Sequence, residues 1–407
     1  MKTFITLAWR NIWRNKRRSF ISIASVLFAV LFAISADSLE QGSYELMIDN
    51  MVKFSTGYIQ VQDVMYDEEP GIDNLLYYDE ALQEVLNRFE GSISYIVPRI
   101  QSFALAATDT KTRGTLVTGI DPEQENQFNR LSENVIRGAY LTDKDTAVLL
   151  AEGLAGILSL DVGDTLVVIG QGFQGATAAG MYPVKGIVKL SVPELNNNTV
   201  YMPLATAQWF YAAPDRLSAL IIMPENPKHT RRITARLNEA LDSEWYSALS
   251  WEYLLQDLLK MMQMDRAGSQ VIIYILYIVI GFGLFGTILT MMLERIREFA
   301  MLISIGMKRY QLAVVCLLES FFMSFIGVII GMMVTFPFVY YFNKNPIPLK
   351  GEMAELLIDY GFEPVMPTSI APSIFITQAI VVFIIALLIG LYPAYKAFKL
   401  NVINHTK

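Results

Sequence analysis

The chain has 407 residues, 53% of them hydrophobic and only 17% charged. With a mean hydropathy of +0.37, it is too apolar for an ordinary soluble protein. A net charge of −7 gives no basis for a nucleic-acid partner, a single cysteine excludes an intramolecular disulfide, and two histidines are too few for a histidine metal cluster or a Ser-His-acid triad.

Residues 1–18 are basic, with Lys2, Arg10, Arg14, Lys16, Arg17 and Arg18 and no acid, and are expected to form a cytoplasmic amphipathic helix. The charge-free run that follows, Ser19 to Ala36, is about as long as a helix needs to cross a bilayer. It is also longer than the apolar core of a cleavable signal peptide, so a first span is placed at 19–40. Residues 41–265 hold 30 Asp and Glu against 16 Lys and Arg and alternate between strand and helix patterns. "GYIQVQ" at 57–62 and "GTLVTGI" at 114–120 read as strands, and "DEALQEVLNRF" at 79–89 as a helix. The stretch 146–170 reads strand, short helix, turn and strand, and "PKHTRRITARLNEAL" at 227–241 is a helix with a proline near its start. Together these segments make a mixed α/β domain with a second subdomain, about 120–215, inserted into the first.

Charge-free runs return at Ala267 to Leu293, Ser320 to Asn343 and Pro364 to Tyr395, giving further spans at 266–293, 311–343 and 364–395. The fold class is therefore an α-helical membrane protein with four spans and a mixed α/β domain between the first and second. Between spans two and three, Ile296, Phe299, Ala300 and Ile303 fall at helical spacing, and Gly306 supplies a C-terminal stop. An amphipathic helix over 294–310 follows, lying on a membrane surface or docked on a partner. A short loop, 344–363, and a basic tail, 396–407, complete the chain. Basic residues flank span one, the 294–310 segment and the tail, so both termini are expected inside and the large domain outside.

"GFGLFG" at 281–286 satisfies a dinucleotide-binding pattern in letters only. It lies in the middle of a span, where close helix packing through small residues explains it better. "GVIIG" at 327–331 reads the same way, against the chain's own spans or another subunit. No phosphate-binding loop with the Gly-Lys-Ser/Thr ending occurs, so ATP-driven work requires a separate subunit. Glu319 is an acid within a span and is expected to pair with a basic residue of the N-terminal flank, such as Arg14 or Arg18.

Three segments carry a family resemblance: "LAWRNIWRNKRRSFISIASVLFAV" at 7–30, "ERIREFAMLISIGMKRYQL" at 294–312 and "LYPAYKAFKLNVI" at 391–403. With the span order, they resemble the permeases of type VII ABC transporters, the group of MacB, FtsX, LolC and LolE. The resemblance implies a bacterial inner-membrane protein with the large domain in the periplasm. It implies a dimer with a second permease chain, identical or not, and two copies of a cytoplasmic ATPase that holds ATP and magnesium, with no cofactor in this chain and no enzymatic activity of its own. ATPase coupling then falls to Glu294, Arg295, Arg297, Glu298, Phe299, Leu302, Gly306 and Met307. A lipid-facing substrate cavity between spans one and two would be lined by Phe28, Leu31, Phe32, Tyr274 and Tyr277.

Residues 43–66 and 181–210 resemble the lipoprotein-releasing branch, so release of lipoproteins is the expected function. MacB-like efflux of peptides or small molecules and FtsX-like mechanotransmission to a cell-wall hydrolase are the alternatives. The loop 170–183, with Gly172, Phe173 and Met181, occupies the place where LolC hooks a soluble lipoprotein carrier. It departs from that branch in having no proline before Pro183.

Overall fold

The computed structural model describes residues 2–14, 16–359 and 363–399. Residues 400–407 of the expected tail and the side chain of Arg18 lie outside the described residues. In chain order, α1 (Lys2–Arg14) leads to α2 (Lys16–Met51), whose end passes into a π-helical turn, Val52–Thr56. Then come β1 (Ile59–Asp63), β2 (Leu76–Tyr77), α3 (Glu80–Asn87), the long β3 (Ile93–Ala107) and β4 (Thr112–Ile120). After α4 (Pro122–Asn129) follow β5 (Val135–Gly138), β6 (Val148–Ala151), α5 (Glu152–Leu158), β7 (Thr165–Gln171) and β8 (Thr177–Val188). Next are α6 (Pro193–Asn198), β9 (Thr199–Pro203), α7 (Leu204–Phe210), β10 (Arg216–Leu217), β11 (Ala219–Pro224), α8 (Thr230–Ala240), β12 (Tyr246–Ser250) and α9 (Trp251–Leu254). The chain then returns to long apolar helices, α10 (Gln256–Ser304) and α11 (Arg309–Lys344). After β13 (Ile347–Pro348), α12 (Glu352–Asp359) and β14 (Val365–Met366), it ends the described region with α13 (Pro372–Phe398).

Two compact units result: Met1–Glu45, Met261–Leu349 and Val365–Lys407 form one, Leu46–Lys260 and Lys350–Pro364 the other. In the second unit the strand order is β12-β1-β11-β3-β4-β9-β6-β8-β5, with β7 paired to β3 and β8. The subdomain expected to be inserted about 120–215 therefore shares one continuous sheet with the rest, joined where β9 runs parallel to β4. The 15-residue β3 makes this possible, since it pairs in turn with β11, β4 and β7. Local chemistry starts the helices: Asp79 accepts from the Leu82 N–H at the head of α3, and Asp121 with Pro122 starts α4. Three apolar clusters line the sheet among the described residues: Ile59, Val61, Leu82, Leu220 and Ile222 in one, Ile100, Val117, Leu150, Val168 and Phe210 in the second, and Ile120, Leu149, Val188 and Tyr201 in the third. A buried Arg99 grips Glu125 with Nε at 2.9 Å and Nη2 at 2.6 Å, and donates from Nη1 to the Ser55 carbonyl at 2.8 Å. That joins strand, helix α4 and the π-helical turn at one point.

In the first unit, four helices are long and apolar enough to cross a membrane: Ser19–Thr56, Gln256–Thr290, Arg309–Lys344 and Pro372–Phe398. Their packing is uneven: over an apolar 18-residue stretch of each, 39%, 44% and 39% of the first, third and fourth is buried, but only 11% of the second. Glycines in α11 settle one pairing left open by the sequence, because "GVIIG" packs on the chain's own first span. A Cβ at Gly327 would meet Val26 at 2.7 Å, and one at Gly331 would meet Val30 at 2.9 Å. Gly283 and Gly286 in α10 differ: a Cβ added at either would meet no neighbouring atom within 4 Å. Of the three "GFGLFG" glycines Gly281 alone touches a neighbouring span, a Cβ there meeting Ile385 at 3.9 Å, while Gly283 and Gly286 border the open space between α2 and α10.

Candidate functional site

The segment expected to be a separate coupling helix at 294–310 is the last turns of α10, which runs without a break to Ser304. The helix stops as the sequence requires. Gly306 takes φ +103°, and the amides of Gly306 and Met307 return to the carbonyls of Ile303 at 3.0 Å and Leu302 at 3.1 Å, a double cap that a left-handed residue permits. Its apolar stripe faces neither lipid nor a partner. Phe299 and Ala300 are buried with Leu312, Cys316, Ala394 and Ala397, and Ile296, Ile303 and Met307 pack on the same cluster.

Two of the eight coupling residues are accordingly corrected. Arg295 and Phe299 are only 6% and 3% exposed, so neither can meet an ATPase in this arrangement. Arg295 is instead the partner of Glu319, with Nη1 on Oε2 and Nη2 at 3.3 Å from Oε1, while Asn11 donates to Oε1 at 2.6 Å. The acid is paired, but Arg14 is not its partner. Arg14 reaches Glu298 instead, at 3.2 Å, and Arg295 also lies 3.5 Å from that acid. One polar seam thus ties α1, α10 and α11. The surface left for a partner holds Glu294, Arg297, Met301, Leu302 and Ile305, of which Ile305 is 79% exposed. On α10, residues 294, 297 and 301 share one face, so sequence spacing could have found this second stripe opposite the first.

The residues expected to line a substrate cavity are divided. Phe28, Phe32 and Tyr274 are exposed on the span surfaces. Leu31 is half-buried, and Tyr277 turns inward, its hydroxyl donating to Gln378, which in turn donates to Asp37 at 2.8 Å. Asp37 lies just beyond the charge-free run, where hydropathy alone does not mark it. A cavity of about 910 Å³ does lie between α2 and α10, but none of those five lines it. Its walls are the basic end of α2, with Lys16, Arg17 and Ile21, and Phe282, Gly283 and Gly286 of α10.

In the sheet unit, the 170–183 loop is a tight hairpin between β7 and β8. Gly172 is buried, Phe173 donates its N–H to the Tyr211 carbonyl at 2.7 Å, and its ring lies 4.4 Å from the Arg216 guanidinium carbon. Asp73 accepts from the Gln174 amide at 2.6 Å. Gly172 and Phe173 are therefore not offered to a carrier; cation–π contact and backbone bonding hold them down. Met181 is offered, 70% exposed, on a sheet face shared with Phe103, Leu105 and Ile169, all exposed.

Residues 19–240, more than half of the chain, match the MacB-like periplasmic core domain family. The chain belongs to that family. Residues 270–402 match the FtsX-like permease C-terminal family, and the two matches together make it an ABC transporter permease of the MacB/FtsX/LolC type. The permease is 22% identical over 335 residues to the lipoprotein-releasing system transmembrane protein LolC of Neisseria meningitidis serogroup B, covering 78% of this chain and 77% of that protein. It is 18% identical over 408 residues to an uncharacterised ABC transporter permease of Methanocaldococcus jannaschii, covering 98% and 96%. Among solved structures, the periplasmic region of MacB from Actinobacillus actinomycetemcomitans is similar at 14% identity and a TM-score of 0.36, covering 52% of this chain and 97% of that one. The extracellular domain of the Gram-positive transporter YknZ is similar at 16% identity and a TM-score of 0.31, covering 47% and 100%. Four apolar helices and the core-domain match make the permease a multi-pass inner-membrane protein, and its family implies an ATPase partner.

Proposed function

We propose that the permease releases lipoproteins from the outer leaflet of the inner membrane, driven by a cytoplasmic ATPase. The observation that carries this reading is the similarity to LolC, which extends over 78% of the chain rather than over one domain. Two permease chains and two ATPase subunits, with both termini cytoplasmic, complete the proposed assembly. The exposed aromatic residues Phe28, Phe32 and Tyr274 would meet acyl chains at the span surface. A soluble carrier would meet the face of Met181 and Phe103, not the loop tip.

ATPase docking is assigned to Glu294, Arg297, Leu302 and the apolar pair Met301 and Ile305, with Gly306 fixing the turn behind them. Replacing Ile305→Asp puts a charge into an apolar contact and is expected to abolish copurification of the ATPase while the permease stays folded. The function itself is tested in proteoliposomes holding permease and ATPase, loaded with one protein in lipidated and unlipidated forms. ATP-dependent release of the lipidated form alone is expected. Export of an unlipidated peptide instead, or activation of a cell-wall hydrolase with no release, would replace this reading with one of the two alternatives.

A further inference from the structure

We infer that a cavity beside α8 in the sheet unit binds a phosphate ester, the phosphate gripped by Arg232 and Arg236 and the rest of a small polar group seated beside them. Charge supplies the first argument. Residues 41–265 are acidic, yet four of their 16 Lys and Arg fall within 228–236, together with His229, and no acid occurs between Glu225 and Glu239. The helix does not require these cations: α8 has no acid in its first turn and no side-chain cap, and positive charge there opposes its macrodipole. Ion pairs do not use them up either. Arg231 reaches Glu252 at 3.3 Å, but Arg232 and Arg236, both exposed, form no ion pair among the described residues.

Geometry supplies the second argument. His229, Arg232 and Arg236 are spaced by three and four residues and share one face, and all three line a cavity of about 560 Å³, within the range of small-molecule sites. The Arg236 guanidinium carbon lies 5.3 Å from the centre of the buried Phe89 ring, a contact that spends none of its five N–H donors. Arginine forks match phosphate because each can grip two of its oxygens. Against Glu225, the one acid among the described lining residues, the two arginines leave one net positive charge with His229 neutral. Ser92 and Asn226 complete a polar lining that suits the hydroxyls of an ester and not an acyl chain. The cavity lies at the end of the sheet where Pro224 pairs with Ile93. At that end β1 begins after α2 and β12 finishes before α10, Ile59 standing between Ile222 and Ser250. The chain thus arrives from one span and leaves for the next beside the cavity, so a phospholipid headgroup and a soluble ester are both sources of the same chemistry.

The test is isothermal titration calorimetry of the full-length permease in a maltoside detergent, which carries no phosphate, with glycerol phosphate, inorganic phosphate or glycerol as the titrant. Glycerol phosphate should bind and glycerol should not. Arg232→Gln and Arg236→Gln should each weaken glycerol phosphate binding by at least about tenfold, the effect of losing one charged hydrogen-bonding group. Arg130→Gln, an exposed cation outside the cavity, should leave it unchanged, and all three variants should keep the parent melting temperature. Repeating the titration in phosphatidylglycerol nanodiscs, in about 0.3 M salt to screen the charge of the bilayer, assigns the source. Loss of glycerol phosphate binding there marks the lipid headgroup as the occupant, and unchanged binding marks a soluble ester. Binding that survives both arginine changes, or no binding at millimolar glycerol phosphate, would overturn the site. Inorganic phosphate binding as tightly as glycerol phosphate would overturn the ester, since the polar lining beyond the arginines would then contribute nothing.

Discussion

At the scale of single residues, the seam around Glu319 matters for what it hides. Glu319 and Arg295 are 4% and 6% exposed, so removing one partner strands the other charge in a low-dielectric site. Glu319→Gln is expected to lower unfolding stability by about 3 kcal/mol, and the paired change Arg295→Met with Glu319→Leu to recover most of it. Both are read from unfolding in one detergent; unchanged stability with lost transport would make Glu319 a functional acid instead. Asp145 offers a second case outside the membrane. Burial alone would raise its carboxyl, but hydrogen bonds from Lys185 and Thr142 outweigh it and hold the group below its usual 3.8. Because the folded value is depressed, the pair stabilises above that usual value, and its contribution is lost as pH falls through the lower folded one. Lys185→Gln should therefore raise the Asp145 titration midpoint observed by NMR.

Among elements, the glycines make the sharpest contrast. Gly331→Leu would drive a side chain into Val30, 2.9 Å from its Cβ, and overpacking of this kind costs about 1–3 kcal/mol or more. A Cβ at Gly283 would meet nothing within 4 Å, and with that open space Gly283→Leu should leave the melting temperature unchanged. Equal effects would mean that α10 packs differently from this structure. The two glycine motifs look alike in sequence, and only the positions of neighbouring helices separate them. The same divide runs through the whole candidate site. Spans, strands and the Gly306 stop were legible because hydropathy, period-two alternation and left-handed backbone are local properties. The destination of the stripe at Ile296, Phe299, Ala300 and Ile303 was not, since its spacing is identical whether it faces lipid, an ATPase or α11 and α13. The packing of Phe173 was not legible for a related reason: Arg216, which covers its ring, comes from a strand far along the chain.

For the whole molecule, the proposed topology can be checked on two engineered thiols, as the native Cys316 is buried and silent to a membrane-impermeant reagent. Asp109→Cys, in the exposed turn between β3 and β4, should label in intact spheroplasts, and Thr3→Cys only after lysis. Labelling of Thr3→Cys in intact spheroplasts would invert the architecture. The continuity of α10 also has a mechanical meaning. Within the membrane unit it runs from Met261 to Ser304, a rod of about 66 Å. Tilted by about 10° around its centre, such a rod swings each end through roughly 6 Å in opposite directions. Gly281 and Gly283 straddle that centre, where a helix is least stiff. They place the compliance of the lever at its fulcrum, so the stroke that arrives at Ile305 depends on how far those two residues let the rod bend before it turns.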